Sequence, residues 1–350
     1  MSQVATPVAK ARGSSVLFRI ALREEELEHR LAAGLGRVEE RLLECAARAA
    51  DPRVAEVVGY LVAAGGKRLR PLLTLVAAEF AEPGAPGVVD AAVISELVHV
   101  ASLYHDDVMD QARIRHGVPS VNVRWGDCVA VRAGNWLLAT SARLSAGLVA
   151  QTLPLHAEAS ERLVRGQMRE LLGPDADDDP LAHYFSVVSD KSAALMSLAL
   201  RLGALQAGAP ASVADVLAEY GEHLGVAFQI ADDLLDITSP SALSGKEQGK
   251  DLAVGVACLP VLLVRAGDDP RDDELRALLG APSGLAGAAH QRALELLRRS
   301  PAMARARSLM EERLVQARSV LDRLPPGPPS RALDALCDVV ARRTGQLRPG

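Results

Sequence analysis

Residues 104–111 read YHDDVMDQ and residues 231–237 read ADDLLDI, so the pattern Asp-Asp-x-x-Asp occurs twice, about 125 residues apart. On a helix, positions i and i+4 share a face and i+3 lies close to it. Asp106 therefore stands one turn from Asp110 with Asp107 beside them, and Asp232, Asp233 and Asp236 repeat the arrangement. Like charges at this spacing repel. Each triplet also closes an apolar run, where the helix dipole disfavours anions. One such triplet could simply mark a solvated helix end. Two of them, each behind an apolar helix, point to hard divalent cations, and Mg²⁺ takes carboxylate oxygens together with water and substrate phosphates. Two facing rims of this kind could grip one diphosphate through several metals.

A metal–diphosphate site also needs fixed cations. Only five of the 39 basic side chains are lysines: Lys10, Lys67, Lys191, Lys246 and Lys250. Residues 65–71, GGKRLRP, give two glycines that let backbone approach a ligand, then Lys67, Arg68 and Arg70. Lysine is a point charge for phosphate oxygens and arginine a bidentate fork. Arg113, Arg115 and His116 follow the first Asp cluster in RIRHG; Lys191 sits in SDKSAAL, and Lys246 and Lys250 in SGKEQGKDL. His99, His105 and His116 have no zinc spacing with one another or with cysteine. His99 reads as a packing residue, and His116 either touches phosphate or caps a turn.

These residues must be positioned by helices. Apolar residues recur at i, i+3, i+4 and i+7 over 22–49, 54–64, 69–81, 88–110, 127–150, 156–172, 181–207, 212–237 and 256–266. Breakers fall at AEPGAPG, GPDADDDP, GAPAS and SPSALSGKEQG, and alternating strand-like runs are missing. The expected class is all-α. Residues 1–20 read as a loose leader and 21–350 as one helical domain, with PPGPPS (325–330) an elbow before a last helix, ALDALCDVVARR.

The 350 residues carry 49% hydrophobic and 24% charged side chains and a net charge of −5, which leaves no basic footprint for nucleic acid. Aromatics at 3% argue against base-stacking platforms. No signal-peptide pattern opens the chain, and no run of about 18 apolar residues is free of charges and turn formers, so no membrane span is expected. Cys45, Cys128, Cys258 and Cys337 are far apart, as expected of reduced thiols in a cytoplasmic protein.

GGKRLRP, HVASLYHDDVMDQARIRHGVPS, GQMREL, DKSAAL and GVAFQIADDLLD, taken together and in this order, resemble the trans-isoprenyl diphosphate synthases, or polyprenyl synthetases, over about residues 55–265. The resemblance implies an all-α bundle around a deep central cavity, a homodimer and Mg²⁺ as cofactor. It makes Asp106 and Asp110 the metal ligands that hold the allylic diphosphate, with Asp232 completing the cluster and Asp107, Asp233 and Asp236 in support. Lys191, Lys246 and Arg115 would neutralise the leaving diphosphate. Gly66, Lys67 and Arg70 match the isopentenyl diphosphate site, and His99, His116, Ser192 and Gln229 count as further substrate-binding residues in the resemblance. Gln167, Gln229 and Glu170 fall where the family places polar groups near the reacting carbons and the metal's water shell.

The chain departs from the family pattern in several places. Arg-Arg-Gly is Arg115-His116-Gly117, Lys-Thr is Lys191-Ser192, and Gly-Asp is Gly134-Asn135. Gly-Lys-x-Thr-Leu-Pro is Gly255-Val256-Ala257-Cys258-Leu259-Pro260. A terpene cyclase is disfavoured by the second Asp motif and by GGKRLRP. A non-catalytic subunit of a heteromeric synthase is disfavoured by the intact carboxylates. The residues one and two turns before the first motif, Val98, Ala101 and Ser102, set product length in the resemblance. None is bulky, so a product longer than fifteen carbons is expected, and Ala101→Phe should shorten it.

Overall fold

The computed structural model describes residues 24–238, 249, 252, 258–281 and 285–345. The first half contains α1 (Glu25–Ala47), α2 (Pro52–Ala64), α3 (Leu69–Ala78), α4 (Val88–Met109), the short α5 (Val121–Trp125), α6 (Asp127–Ser145) and α7 (Thr152–Leu172). There follow α8 (Pro180–Val188), a single π turn (Ser189–Ala193), α9 (Ala194–Gln206) and α10 (Ala211–Thr238). The last elements are α11 (Leu259–Ala266), α12 (Asp273–Leu279), α13 (Gly287–Arg299), α14 (Pro301–Leu321) and α15 (Pro328–Gly345).

The starts follow local chemistry. Asp51, Asp179 and Ser300 each accept a hydrogen bond from the backbone N–H two residues on, and each precedes a proline that occupies the first helical position. α1 buries one stripe, Leu27, Leu31, Val38, Leu42 and Cys45, as its periodicity requires. α4 is instead buried nearly all round, from Val88 to Tyr104. It is long and apolar enough to cross a membrane, yet two thirds of the span is buried among other helices. α9 is apolar on most faces too and packs against α3, α4, α7 and α10, so it stands between the two helices that end in Asp triplets. α14 and α15 cover the other side of α10.

Two features depart from the helical expectation. The run 181–207 is not one helix: the π turn at Ser189–Ala193 interrupts it. Ile114–Arg115 and Val118–Pro119 form a minimal antiparallel hairpin, with Ile114 opposite Pro119. Its turn residues, His116 and Gly117, have φ of 51° and 76°, the left-handed pair that a tight hairpin demands.

Candidate active site

The two Asp motifs divide internally in the same way. The middle carboxylates point inward and hold the fold. Asp107 is fully buried, and its Oδ1 accepts from Arg115 Nε at 2.8 Å and Nη2 at 2.6 Å. Its carbonyl accepts from Asn122 Nδ2 at 3.1 Å. Asp233, equally buried, accepts from Tyr184 Oη at 2.7 Å, the Leu259 amide at 3.0 Å and Gln229 Nε2 at 3.0 Å. Arg115 is thus committed to anchoring the hairpin on α4. The outer carboxylates, Asp106 and Asp110 on one rim and Asp232 and Asp236 on the other, are half-buried or exposed.

Burial pushes the Asp106 carboxyl up to about 6; Asp110 and Glu170 add to the rise, while Lys191 and Arg115 oppose it. Lys191 Nζ donates to Glu170 Oε2 at 2.5 Å. Burial alone would lower its ammonium, but Asp106, Glu170 and Asp110 outweigh that and hold it above its ordinary range. The π turn positions this lysine. Asp190 is gripped by Arg165 (Nε–Oδ2, 2.9 Å) and by Arg162 (Nε–Oδ1, 3.1 Å), which also binds Glu222 on α10 at 2.5 Å. Gly225 on α10 lets the turn come close: a Cβ there would lie 2.4 Å from Ala193 Cα. Ser192 Oγ then donates to Gln229 Oε1 at 2.8 Å, and Gln229 passes the chain of hydrogen bonds to Asp233.

GGKRLRP separates its cations. Arg68 adopts a left-handed φ of 51° and turns inward, where it binds Glu39 (2.6 Å), Glu96 (2.8 Å) and the Val62 carbonyl (2.8 Å) with only 4% of its surface exposed. Lys67 is exposed. Arg70 keeps a buried Nε without a hydrogen-bond partner, and burial lowers its guanidinium against the pull of Glu96 and Asp232. A buried, unsatisfied guanidinium donor is costly unless a ligand completes it. His99 faces the same place: burial drives its imidazole well below the usual range, and Arg70, His116, Arg115 and Arg68 add to the effect. His116 is lowered for the same reasons, burial first and then Arg115 and Arg68. Gly66 lies beside it, for a Cβ there would sit 3.5 Å from His116 Cε1. Gly66, Arg70, His99 and His116 therefore share one cationic pocket.

A cavity of about 320 Å³ opens at Asp106 and runs between α6 and α7. Ser102, His105, Leu138, Leu163, Val164 and Gln167 line it among others, and no Phe, Tyr or Trp does. The Gln167 Oε1 there is buried without a partner. Of the three expected length-setting positions only Ser102 reaches this cavity; Val98 and Ala101 are fully buried in the core. Lys246, Lys250 and residues 255–257 lie outside the described residues.

Among the described residues no three His, Cys, Asp or Glu side chains gather into a ready-made metal cage, so Asp106, Asp110 and Asp232 do not form one cluster by themselves. The outer carboxylates nevertheless fit Mg²⁺, a cation that commonly binds one or two carboxylates and completes its shell with water and substrate phosphates. The raised Asp106, crowded by Asp110 and Glu170, is the negative charge that such a cation relieves.

Some site residues carry no local sequence signal. Arg343, in the last turn of α15, donates from Nη2 to Asp232 Oδ1 at 2.6 Å across 111 residues. Tyr184, Asn122 and the Arg162–Arg165 pair likewise act through tertiary contacts; the i, i+3 spacing of the two arginines was the one visible hint.

A family model described as Polyprenyl synthetase matches residues 51–297. The nonaprenyl diphosphate synthase of Mycobacterium tuberculosis is 41% identical over 346 residues, 99% of this chain and 100% of that protein. Among solved structures, geranylgeranyl pyrophosphate synthase from Corynebacterium glutamicum, complexed with calcium and isoprenyl diphosphate, is similar with a TM-score of 0.82 at 38% identity, covering 92% of this chain and 99% of that one. A decaprenyl diphosphate synthase from Rhodobacter capsulatus is similar with a TM-score of 0.81 at 32% identity, over 93% and 99% of the two chains. The paired Asp-bearing helix ends, the cationic loop before them and near full-length similarity agree, and the chain belongs to the polyprenyl synthetase family.

Proposed function

We propose that the chain is an all-trans polyprenyl diphosphate synthase. It condenses isopentenyl diphosphate with an allylic diphosphate in a Mg²⁺-dependent reaction, and its product is longer than fifteen carbons, geranylgeranyl diphosphate or beyond. The observation that carries this reading is the pair of outer-carboxylate rims on α4 and α10, flanking α9, with Lys191 beside the first rim and an apolar cavity opening at Asp106.

Asp106, Asp110 and Asp232, supported by Asp236, would hold magnesium, which when bound neutralises a diphosphate and eases its departure. Lys191 stays protonated and presents its ammonium to the leaving oxygens, a role that the resemblance extends to Lys246. Arg70 and Lys67, with His99 and His116, hold the diphosphate of the second substrate, where the unpartnered Arg70 Nε gains its acceptor. The allylic C–O bond breaks, the alkene of isopentenyl diphosphate forms the new C–C bond, and the proton then lost goes to the released diphosphate. Gln167, whose buried Oε1 has no partner in the cavity wall, would turn its carbonyl dipole to the allylic carbocation left by ionisation, and the cavity walls would keep water from quenching it. With no aromatic side chain across the cavity, the growing tail has room to extend, in keeping with the nonaprenyl and decaprenyl names of two relatives.

The calcium bound in the Corynebacterium structure is a hard dication like Mg²⁺ and supports the metal assignment. The resemblance to the family supports a homodimer. Cys45, Cys128, Cys258 and Cys337 form no disulfide among the described residues, which supports a reducing, cytoplasmic setting.

Purified protein incubated with isopentenyl diphosphate, an allylic primer and Mg²⁺ should give prenyl diphosphates whose masses step by one isoprene unit. Absence of product with every primer, from protein that remains folded, would refute the proposal and leave a non-catalytic subunit of a heteromeric synthase as the reading.

A further inference from the structure

Arg343 reaches the second Asp motif from the far end of the chain. Its Nη2 lies 2.6 Å from Asp232 Oδ1, and its guanidinium carbon sits 4.5 Å from the centroid of the Phe228 ring, one turn earlier on α10. Its other amino group, Nη1, is buried and has no hydrogen-bond partner. The side chain is 19% exposed and that of Asp232 42%. Phe228 supplies a planar surface on which a guanidinium, but not an ammonium, lies flat. The arginine is therefore held in one place over a carboxylate that is itself open to solvent.

We propose that Arg343 is a built-in counterion for Asp232, one that a divalent cation must displace, so that entry of the cation releases the end of the C-terminal helix from α10. This rests on the reading of Asp232 as a metal ligand given above. The same carboxylate oxygen serves the guanidinium or the cation, and both carry positive charge, so the two repel at contact distance. The pairing explains how α10 tolerates an acidic rim: Arg343 neutralises Asp232 there, while Lys191 serves the opposite rim at Asp106. Phe228 offers the displaced guanidinium only a stacking contact, so the last turn of α15 loses its sole charged tether to α10 among the contacts described for Arg343. Arg343 is in this sense a positioning residue that acts through Asp232.

The test uses the full-length protein and Mg²⁺ alone, without diphosphate. Calorimetric titration should show tighter Mg²⁺ binding by Arg343→Gln than by the unmodified protein, roughly two- to fivefold, as expected for removal of a half-exposed ion pair. Arg343→Lys should fall between the two, because it keeps the charge and loses the planar stack. Hydrogen exchange of residues 328–345 should quicken when Mg²⁺ is added to the unmodified protein, and Asp232→Asn should show that fast exchange with no Mg²⁺ present. A merely structural arginine would leave the Mg²⁺ affinity unchanged. Equal affinities for the unmodified protein and Arg343→Gln, or exchange in α15 that ignores Mg²⁺, would overturn this inference alone. Failure of the unmodified protein to bind Mg²⁺ even with inorganic diphosphate present would overturn the metal reading and this inference with it.

Discussion

Replacing Gly225 by alanine asks how closely the π turn must be held for Lys191 to work. A Cβ at 225 would lie 2.4 Å from Ala193 Cα, 2.8 Å from its Cβ and 3.2 Å from its amide nitrogen. The nearest of these is backbone, so no side chain can swing aside. Restoring an ordinary contact of 3.4 Å requires α10 and the π turn to part by about 1 Å. Overpacking of this kind costs about 1–3 kcal/mol. The displaced segment carries Lys191 and Ser192 on one side and Gln229, one turn along α10, on the other. A misplacement of about 1 Å in catalytic geometry can cost about a hundredfold in rate. Gly225→Ala should therefore lower kcat by about ten- to a hundredfold. The KM for isopentenyl diphosphate should change little, because Gly66, Lys67 and Arg70 lie on another element. Steady-state kinetics with product detection would measure both, with thermal unfolding recorded alongside. Leu275→Ala, a cavity in the fully buried core of α12, provides a variant destabilised away from the turn. The reasoning fails if Gly225→Ala keeps its kcat, or if Leu275→Ala loses as much.

Three further outcomes are expected. Ser102→Phe should shorten the product measured by mass spectrometry, whereas Ala101→Phe, at a fully buried core position, should chiefly lower the melting temperature; the opposite result would show that the tail passes Ala101 and not the cavity beside Ser102. His99 and His116 are held below their usual range by burial and by the neighbouring arginines, so they are neutral at pH 7 and gain charge only as pH falls. The KM for isopentenyl diphosphate should accordingly fall between pH 8 and pH 6, with a weaker dependence in His116→Arg; superimposable profiles would remove His116 from that pocket. Tyr184→Phe deletes the 2.7 Å hydrogen bond to the buried Asp233 and should cost about 1.5–3 kcal/mol in chemical denaturation, and a variant of unaltered stability would mean that Asp233 does not depend on it.

Most helices up to residue 266 were legible in the sequence from their apolar periodicity and from the glycines and prolines that punctuate it, whereas α12, α13 and α14 lie outside the periodic runs. The run 88–110 appears as Val88–Met109 and 212–237 as Ala211–Thr238. The π turn was not legible, since Ser-Asp-Lys-Ser-Ala fits an uninterrupted helix as well, and the extra residue is imposed by close approach at Gly225 and by the arginines on Asp190. The hairpin escaped because His116, not glycine or asparagine, takes the first left-handed position. The carboxylate motifs were found as sets of three, but spacing alone does not tell which member points inward; burial assigns Asp107 and Asp233 to the fold. Arg68 was read with Lys67 and Arg70 as a phosphate-facing cation, and a single backbone angle turns it to Glu39 and Glu96 instead.

That inward arginine ties three remote parts of the chain into one knot: Glu39 on α1, Glu96 on α4, and the loop that carries Lys67. Shortening the protein from its N-terminus is therefore not a neutral trimming once it passes Glu39. It would leave a guanidinium that is 4% exposed with Glu96 as its one carboxylate, and losing the charge-assisted hydrogen bonds to Glu39 costs about 1.5–3 kcal/mol. The damage would surface some thirty residues away, as a substrate loop that no longer keeps its shape. A helix that touches no ligand thus sets the limit on how much of the chain can be cut away before binding fails.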